Sequence, residues 1–222
     1  YRKQVIGLLE KCYALSAVTV DGEESLLVAA EKHNPCYRFD LTGKLLDTVW
    51  EEPGGVMTMV PVPGMENAFL STHKFYSPND SAEAYLVCAK RTEEGWSVTK
   101  VADLPFVHRF DIIPVNGVNY VLACTLKSGH EYKNDWRFAG RLYVGVLSAD
   151  PAQPLELTVL REGLSHNHGY TRFIGDGVIH GIVSCDQGVF EVTPPQQPEA
   201  DWTVELLLPG ACSDAIKLDL DG

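Results

Sequence analysis

The chain has 222 residues, 45% of them hydrophobic and 22% charged, a globular composition that excludes a disordered, collagenous or low-complexity protein. With 18 Lys and Arg against 30 Asp and Glu, the net charge is -12. A duplex-binding surface and attraction to an anionic bilayer are both disfavoured, because each needs a basic face.

No apolar run approaches the roughly 18 residues that would span a bilayer. No secretory leader is visible. The expectation is a cytoplasmic protein, although the chain opens at Tyr1 rather than Met and an export signal could precede it. The six cysteines, Cys12, Cys36, Cys88, Cys124, Cys185 and Cys212, contain no C-x-x-C pair. That spacing excludes a zinc knuckle or thioredoxin motif and predicts buried, reduced thiols.

In chain order, residues 1–13 come first. Gln4-Val5-Ile6-Gly7-Leu8-Leu9 reads like Val204-Glu205-Leu206-Leu207-Leu208, which predicts a lone outer strand that completes a closing blade. Over 14–55, Asp21-Gly22 precedes the apolar run Ser25–Val28. Over 56–107, Pro63-Gly64 precedes Ala68–Leu70, and Trp96 follows the polar turn Glu93-Glu94-Gly95. Over 108–167, Asn116-Gly117 precedes Tyr120–Leu122, with insertions at 128–140 and 150–155. Over 168–213, Asp176-Gly177 precedes Val178-Ile179, and Trp202 repeats the role of Trp96. Residues 214–222 read as a lone inner strand.

Asn-Gly and Asp-Gly are hairpin signals, because both central residues of a type I′ turn need positive φ. The runs between them are rich in β-branched and aromatic residues. Tips near residues 21, 63, 116, 176 and 221 recur every roughly 40 to 60 residues, a spacing that holds about four strands. The prediction is an all-β chain: a single β-propeller domain of four-stranded antiparallel blades at 14–55, 56–107, 108–167 and 168–213. It is expected to be a fragment of a larger ring of roughly six to eight blades. A compact five-unit or irregular closure is the alternative.

The ending Ile216-Lys217-Leu218-Asp219-Leu220-Asp221-Gly222 resembles the start of an FG-GAP or VCBS-type repeat, whose acidic turn reads D-x-D-G-D-G. The resemblance implies a propeller and a possible calcium site at Asp219 and Asp221. The other turns lack the acidic pattern.

The first two strands of a blade are antiparallel, so the start of one and the end of the next share a face. Six of the seven histidines fall there: His33, His73, His108, His130, His166 and His168. His180 maps to the opposite face. Asp186 and Asp214 join the first group. Imidazoles with a carboxylate suit Mn, Fe, Ni or Zn better than calcium. His108 and His168 are the leading ligand candidates, followed by His73 and His33. The bland reading of any one of them is a polar residue at a strand end that satisfies a loop carbonyl or faces solvent.

Lys32-His33, His73-Lys74 and His108-Arg109 are basic doublets in an acidic chain. Lys127, Lys133, Arg137 and Arg172 fall on the same face or its loops, a pattern that can steer an anionic substrate. Arg172 and Lys74 are expected to bind it, with Tyr132, Trp136 and Tyr170 as stacking surfaces. Solvated strand ends and loop packing are the competing readings. Arg109, His130, His166 and Lys133 are the catalytic candidates, with Lys127 a further possible base.

A histidine-rich propeller face resembles the site of metal-dependent sugar lyases and dehydratases, the oligogalacturonate lyases and aldos-2-ulose dehydratases. This resemblance implies β-elimination on a small anionic or keto sugar, with a metal acidifying the proton that a base removes. No catalytic motif of either family aligns residue by residue. A non-catalytic propeller that binds a protein or glycan is the alternative, and a hydrolase or isomerase at the same site a third class. No G-x-S-x-G, H-E-x-x-H or P-loop string points elsewhere.

Overall fold

In three of the four blades, the hairpin between the first two strands is made where two adjacent residues accept positive φ. Asp21-Gly22, Asn116-Gly117 and Asp176-Gly177 all do so, with φ between 49° and 81°, as the type I′ turn requires. The computed structural model describes residues 3–33, 35–197 and 200–218. Its described residues form sixteen strands in four antiparallel four-stranded sheets. No helix among them is long and apolar enough to cross a membrane. These sheets are blades of the β-propeller type, with consecutive strands adjacent in each.

The chain divides into two compact units. The first holds residues 1–104 and 150–154. Its first blade is β1 (Cys12–Val20), β2 (Glu23–Ala30), β3 (Cys36–Asp40) and β4 (Leu45–Trp50). Its second is β5 (Met59–Pro61), β6 (Ala68–His73), β7 (Tyr85–Thr92) and β8 (Gly95–Asp103). The core they share is apolar: Val18, Leu27, Cys36, Trp50, Met59 and Phe69 are all buried. Trp96, at the start of β8, packs against this core, and its indole Nε1–H donates to Asp47 at 3.0 Å. Arg38 donates to the same carboxylate through Nε at 3.1 Å.

The second unit holds residues 105–149 and 155–222. Its blades are β9 (Val107–Val115), β10 (Val118–Thr125), β11 (Gly140–Val146) and β12 (Thr158–Leu164), then β13 (Gly169–Gly175), β14 (Val178–Cys185), β15 (Gly188–Thr193) and β16 (Thr203–Pro209). Ile113, Leu122 and Leu142 of one blade meet Val183, Phe190 and Val192 of the other in one buried cluster. Trp202 packs against it, as Trp96 does in the first unit.

Two strand expectations change. The lone outer strand over 1–13 does not form among the described residues: 3–9 carry no strand, and β1 begins at Cys12. The order β1-β2-β3-β4 gives the segment no sheet neighbour in its unit. It lies instead against the first blade, with Ile6 beside Gly43 and Gly7 beside Phe39. Residues 214–218 are likewise not a strand. Residues 219–222, with the calcium candidates Asp219 and Asp221, lie outside the described residues. All six cysteines are free thiols. Four are buried, whereas Cys12 is exposed and Cys212 half-buried.

Candidate active site at the strand ends

Strand pairing decides which side chains share an edge. In the second unit Val107 pairs with Thr125, and Gly169 with Ser184. The starts of β9 and β13 therefore lie beside the ends of β10 and β14. His108, Lys127, His166, His168 and Asp186 all sit along these ends. His180 lies near the start of β14 and pairs with Phe173, toward the other end of the blade, where its Nδ1 lies 3.0 Å from Glu191.

Two histidines meet on this edge. The His108 and His168 rings are 4.4 Å apart between centroids and 32° from parallel. His108 is only 3% exposed, and its Nδ1 lies 3.2 Å from the His168 carbonyl oxygen. A carbonyl can only accept, so Nδ1 carries the proton and Nε2 is the lone-pair nitrogen of the neutral ring. Burial pulls the His108 pKa down to about 3, with Arg109 and His168 adding to the effect. His168 Nδ1 is 3.5 Å from Asp214. Residue 169 has to be small: a Cβ there would strike the Ser184 hydroxyl and the Ser213 carbonyl. Among the described residues no three His, Cys, Asp or Glu side chains group as a metal cage. The pair provides two imidazoles, with Asp214 on the Nδ1 side of one of them.

A second cluster grows from the loop between β10 and β11. Lys127 has no exposed surface. Its ammonium donates to the Asp135 carbonyl at 3.2 Å and sits 4.8 Å over Trp136 and 5.2 Å over Phe106. Burial pulls its pKa below the ordinary lysine range, opposed by Asp135. Trp136 in turn stacks on His166 at 4.4 Å and 32°. The His166 Nδ1 lies 2.6 Å from Asp186, and its backbone φ is +51°.

Asp135 organises this loop, and sequence reasoning passed over it. Its buried carboxylate accepts the Glu131 N–H at 3.0 Å, the Arg137 N–H at 3.1 Å and Arg137 Nε at 2.8 Å. The Arg137 guanidinium is the main reason its pKa falls well below the carboxylate range. Asp111 went unnoticed in the same way. It is 5% exposed and accepts the Tyr170 hydroxyl at 2.7 Å and Arg172 Nε at 3.0 Å. Burial, then Asp111, raises the Tyr170 pKa. Tyr170 and Arg172 are thus engaged in pinning β13 to β9. The available signal was a lone acid inside the apolar run Phe110–Ile113, where a buried charge needs a partner.

The remaining candidates are placed as follows. His130 is exposed and stands edge-on to Phe106 at 5.3 Å. Lys133 and Tyr132 are exposed on the same loop, and Arg109 is half-buried beside His108. In the first unit, His33 is exposed and stacks on Tyr76 at 4.4 Å. His73 is 1% exposed, with Trp50 at 4.6 Å and Tyr85 at 5.7 Å. Its Nε2 has no hydrogen-bond partner, nor has the neighbouring Trp50 Nε1. Burial holds its pKa near 3. Lys74 is paired with Glu83 at 3.2 Å.

No protein-family model and no curated protein matches the chain. Solved structures do. The α-L-arabinofuranosidase from Lactobacillus brevis is similar at a TM-score of 0.53 and 12% identity, over 86% of this chain and 71% of that one. A mutant of the Synechocystis apocarotenoid oxygenase is similar at 0.52 and 12%, over 90% and 52%. The hydrazine synthase of Kuenenia stuttgartiensis is similar at 0.51 and 9%, over 79% and 51%. The chain spans about half the length of the last two. What it shares with all three is the fold, a β-propeller built from four-stranded antiparallel blades.

Proposed function

We propose that the strand-end edge of the second unit is the site of a carbohydrate-active enzyme that eliminates across a C–O bond of a small anionic or keto sugar. The reading rests chiefly on the His108–His168 pair: a buried, neutral imidazole with its Nδ1 held by a carbonyl, stacked on a second imidazole. That arrangement is how a metal-ligating histidine is usually oriented. A divalent transition ion, when bound, would polarise the carbonyl or carboxylate beside the acidic C–H. His108 and His168 are its proposed ligands. Arg109, beside His108, is suited to hold a substrate carboxylate. A base on the same edge takes the proton. An arabinofuranosidase among the fold neighbours supports a sugar as the substrate class. The chain's free thiols fit a reducing compartment.

The test uses the protein purified without an affinity tag or chelator. Elemental analysis is expected to find a bound Mn, Fe, Ni or Zn that is lost in His108→Ala. Unsaturated product, read by its ultraviolet absorbance on uronate disaccharides and keto sugars, is expected to fall by at least about 100-fold in His108→Ala and His168→Ala. Full activity in both variants overturns the reading.

One observation favours a second reading, glycan binding without catalysis. Tyr132 and Phe138 are exposed on the loop, each within 6 Å of the Arg137 guanidinium. Glycan binding that is lost on substituting them, in a protein that takes up no metal, would favour it.

A further inference from the structure

Four side chains on the candidate edge were open as the base: His130, His166, Lys133 and Lys127. Their surroundings differ in the feature a base needs. Lys127 has no exposed surface and is held in the Phe106–Trp136 box, so a substrate has no route to its amine. Lys133 is exposed on the loop. His130 is exposed, with an aromatic edge as its ring contact. Only His166 combines an exposed ring with a carboxylate at hydrogen-bond distance, Asp186 at 2.6 Å.

That contact sets the tautomer. A carboxylate accepts, so Nδ1 carries the hydrogen and Nε2 is the lone-pair nitrogen of the neutral ring. The ring plane is held by Trp136, which is itself anchored by Lys127. Two neighbours, Asp186 and Trp136, therefore fix one imidazole with one nitrogen turned from its carboxylate. The backbone is fixed as well: His166 adopts φ +51°, a conformation that costs a non-glycine residue energy and that functional sites retain.

We infer that His166 is the general base of this edge, with Asp186 and Trp136 as its positioning residues. The inference rests on the elimination reading for its chemistry, although the dyad itself does not. In the step, Nε2 takes the proton from the carbon beside the carbonyl or carboxylate. The C–H electron pair becomes the new C=C bond, and the C–O bond on the next carbon breaks. The leaving oxygen keeps the C–O electron pair and takes a proton from water, and the imidazolium then returns its proton to the hydroxide left behind. Asp186 stabilises the imidazolium that forms.

Two measurements test it. The first needs no substrate: diethyl pyrocarbonate acylates lone-pair imidazole nitrogens, and mass spectrometry maps the rate at each histidine. His166 is expected to react at least about 10-fold faster than the exposed His33 and His130, and to lose that advantage in Asp186→Asn. Equal rates at the three overturn the assignment, whatever the substrate. The second is the elimination assay on uronate disaccharides and keto sugars with His166→Asn, since Asn tolerates positive φ. A loss of at least about 100-fold, partly restored by added imidazole, is expected. Unchanged turnover overturns the assignment. If the wild-type chain eliminates none of these sugars, the elimination reading falls, and the acylation rates still decide the dyad.

Discussion

His73 and His108 stand at equivalent ends of their blades, one closing β6 and the other opening β9, and both are almost fully buried. Burial keeps both neutral, with pKa values near 3. Their surroundings then part. His73 is packed between Trp50 and Tyr85 as a core aromatic, and its Nε2 finds no partner. His108 has its Nδ1 held by a backbone carbonyl and its ring stacked on His168, whose own side chain is 37% exposed. Burial and a shifted pKa are common to both, so neither quality identifies a site. The orientation of the nitrogens and the exposure of the neighbour separate them.

The largest expected effect is shared by the two. Each pKa is depressed below the unfolded value of about 6.5, so the unfolded chain binds more protons between that pH and about 3. Above pH 6.5 each histidine is neutral in both states and the term vanishes; as pH falls toward 3 only the unfolded chain takes up the proton, and each position costs stability, on the order of 4 kcal/mol apiece at the end of the range. Urea titrations from pH 7 to pH 4 should show both units weakening. His73→Phe should remove that dependence from the first unit alone.

Next in size is the pin beneath the candidate site. Asp111→Ala leaves Arg172 without its carboxylate and is expected to cost about 2 kcal/mol, less than a fully buried pair because Arg172 is partly exposed. Urea unfolding of the second unit reads this. A loss of elimination without a loss of stability would instead place Asp111 in the chemistry.

Smaller, and opposite in sign, is His73→Phe at neutral pH. It keeps a ring between Trp50 and Tyr85 and removes a buried nitrogen without a partner, so a gain of about 1 kcal/mol in stability is expected, read as a rise in the thermal midpoint. The same change at His108 should abolish elimination. If both positions tolerate Phe, the contrast between them disappears. The smallest effect is Trp96→Phe, which removes the bond to Asp47 while keeping the ring against Phe69, at about 1 kcal/mol or less.

Much of the architecture was legible. Asp21-Gly22, Asn116-Gly117 and Asp176-Gly177 announce their turns because few residues accept two successive positive φ angles. Trp96 and Trp202 mark equivalent packing positions in the two units. The edge shared by His108, His166 and His168 follows from antiparallel pairing alone. The partners did not follow. Tyr170 and Arg172 read as substrate contacts, yet Asp111, 59 and 61 positions away, takes both. Asp135 carried no signal in the sequence, yet it is the buried acceptor around which the 128–138 loop folds.

Local chemistry by itself therefore determined the strand period, the turns and the end of the blade at which each histidine lies, because these depend on φ preferences and on a two-residue alternation. Only the tertiary structure decided which nitrogen faces a carbonyl, which carboxylate holds His166, and which lysine is closed over by aromatic rings. Those outcomes depend on side chains far apart in sequence competing for the same few buried partners, and no local pattern encodes who wins.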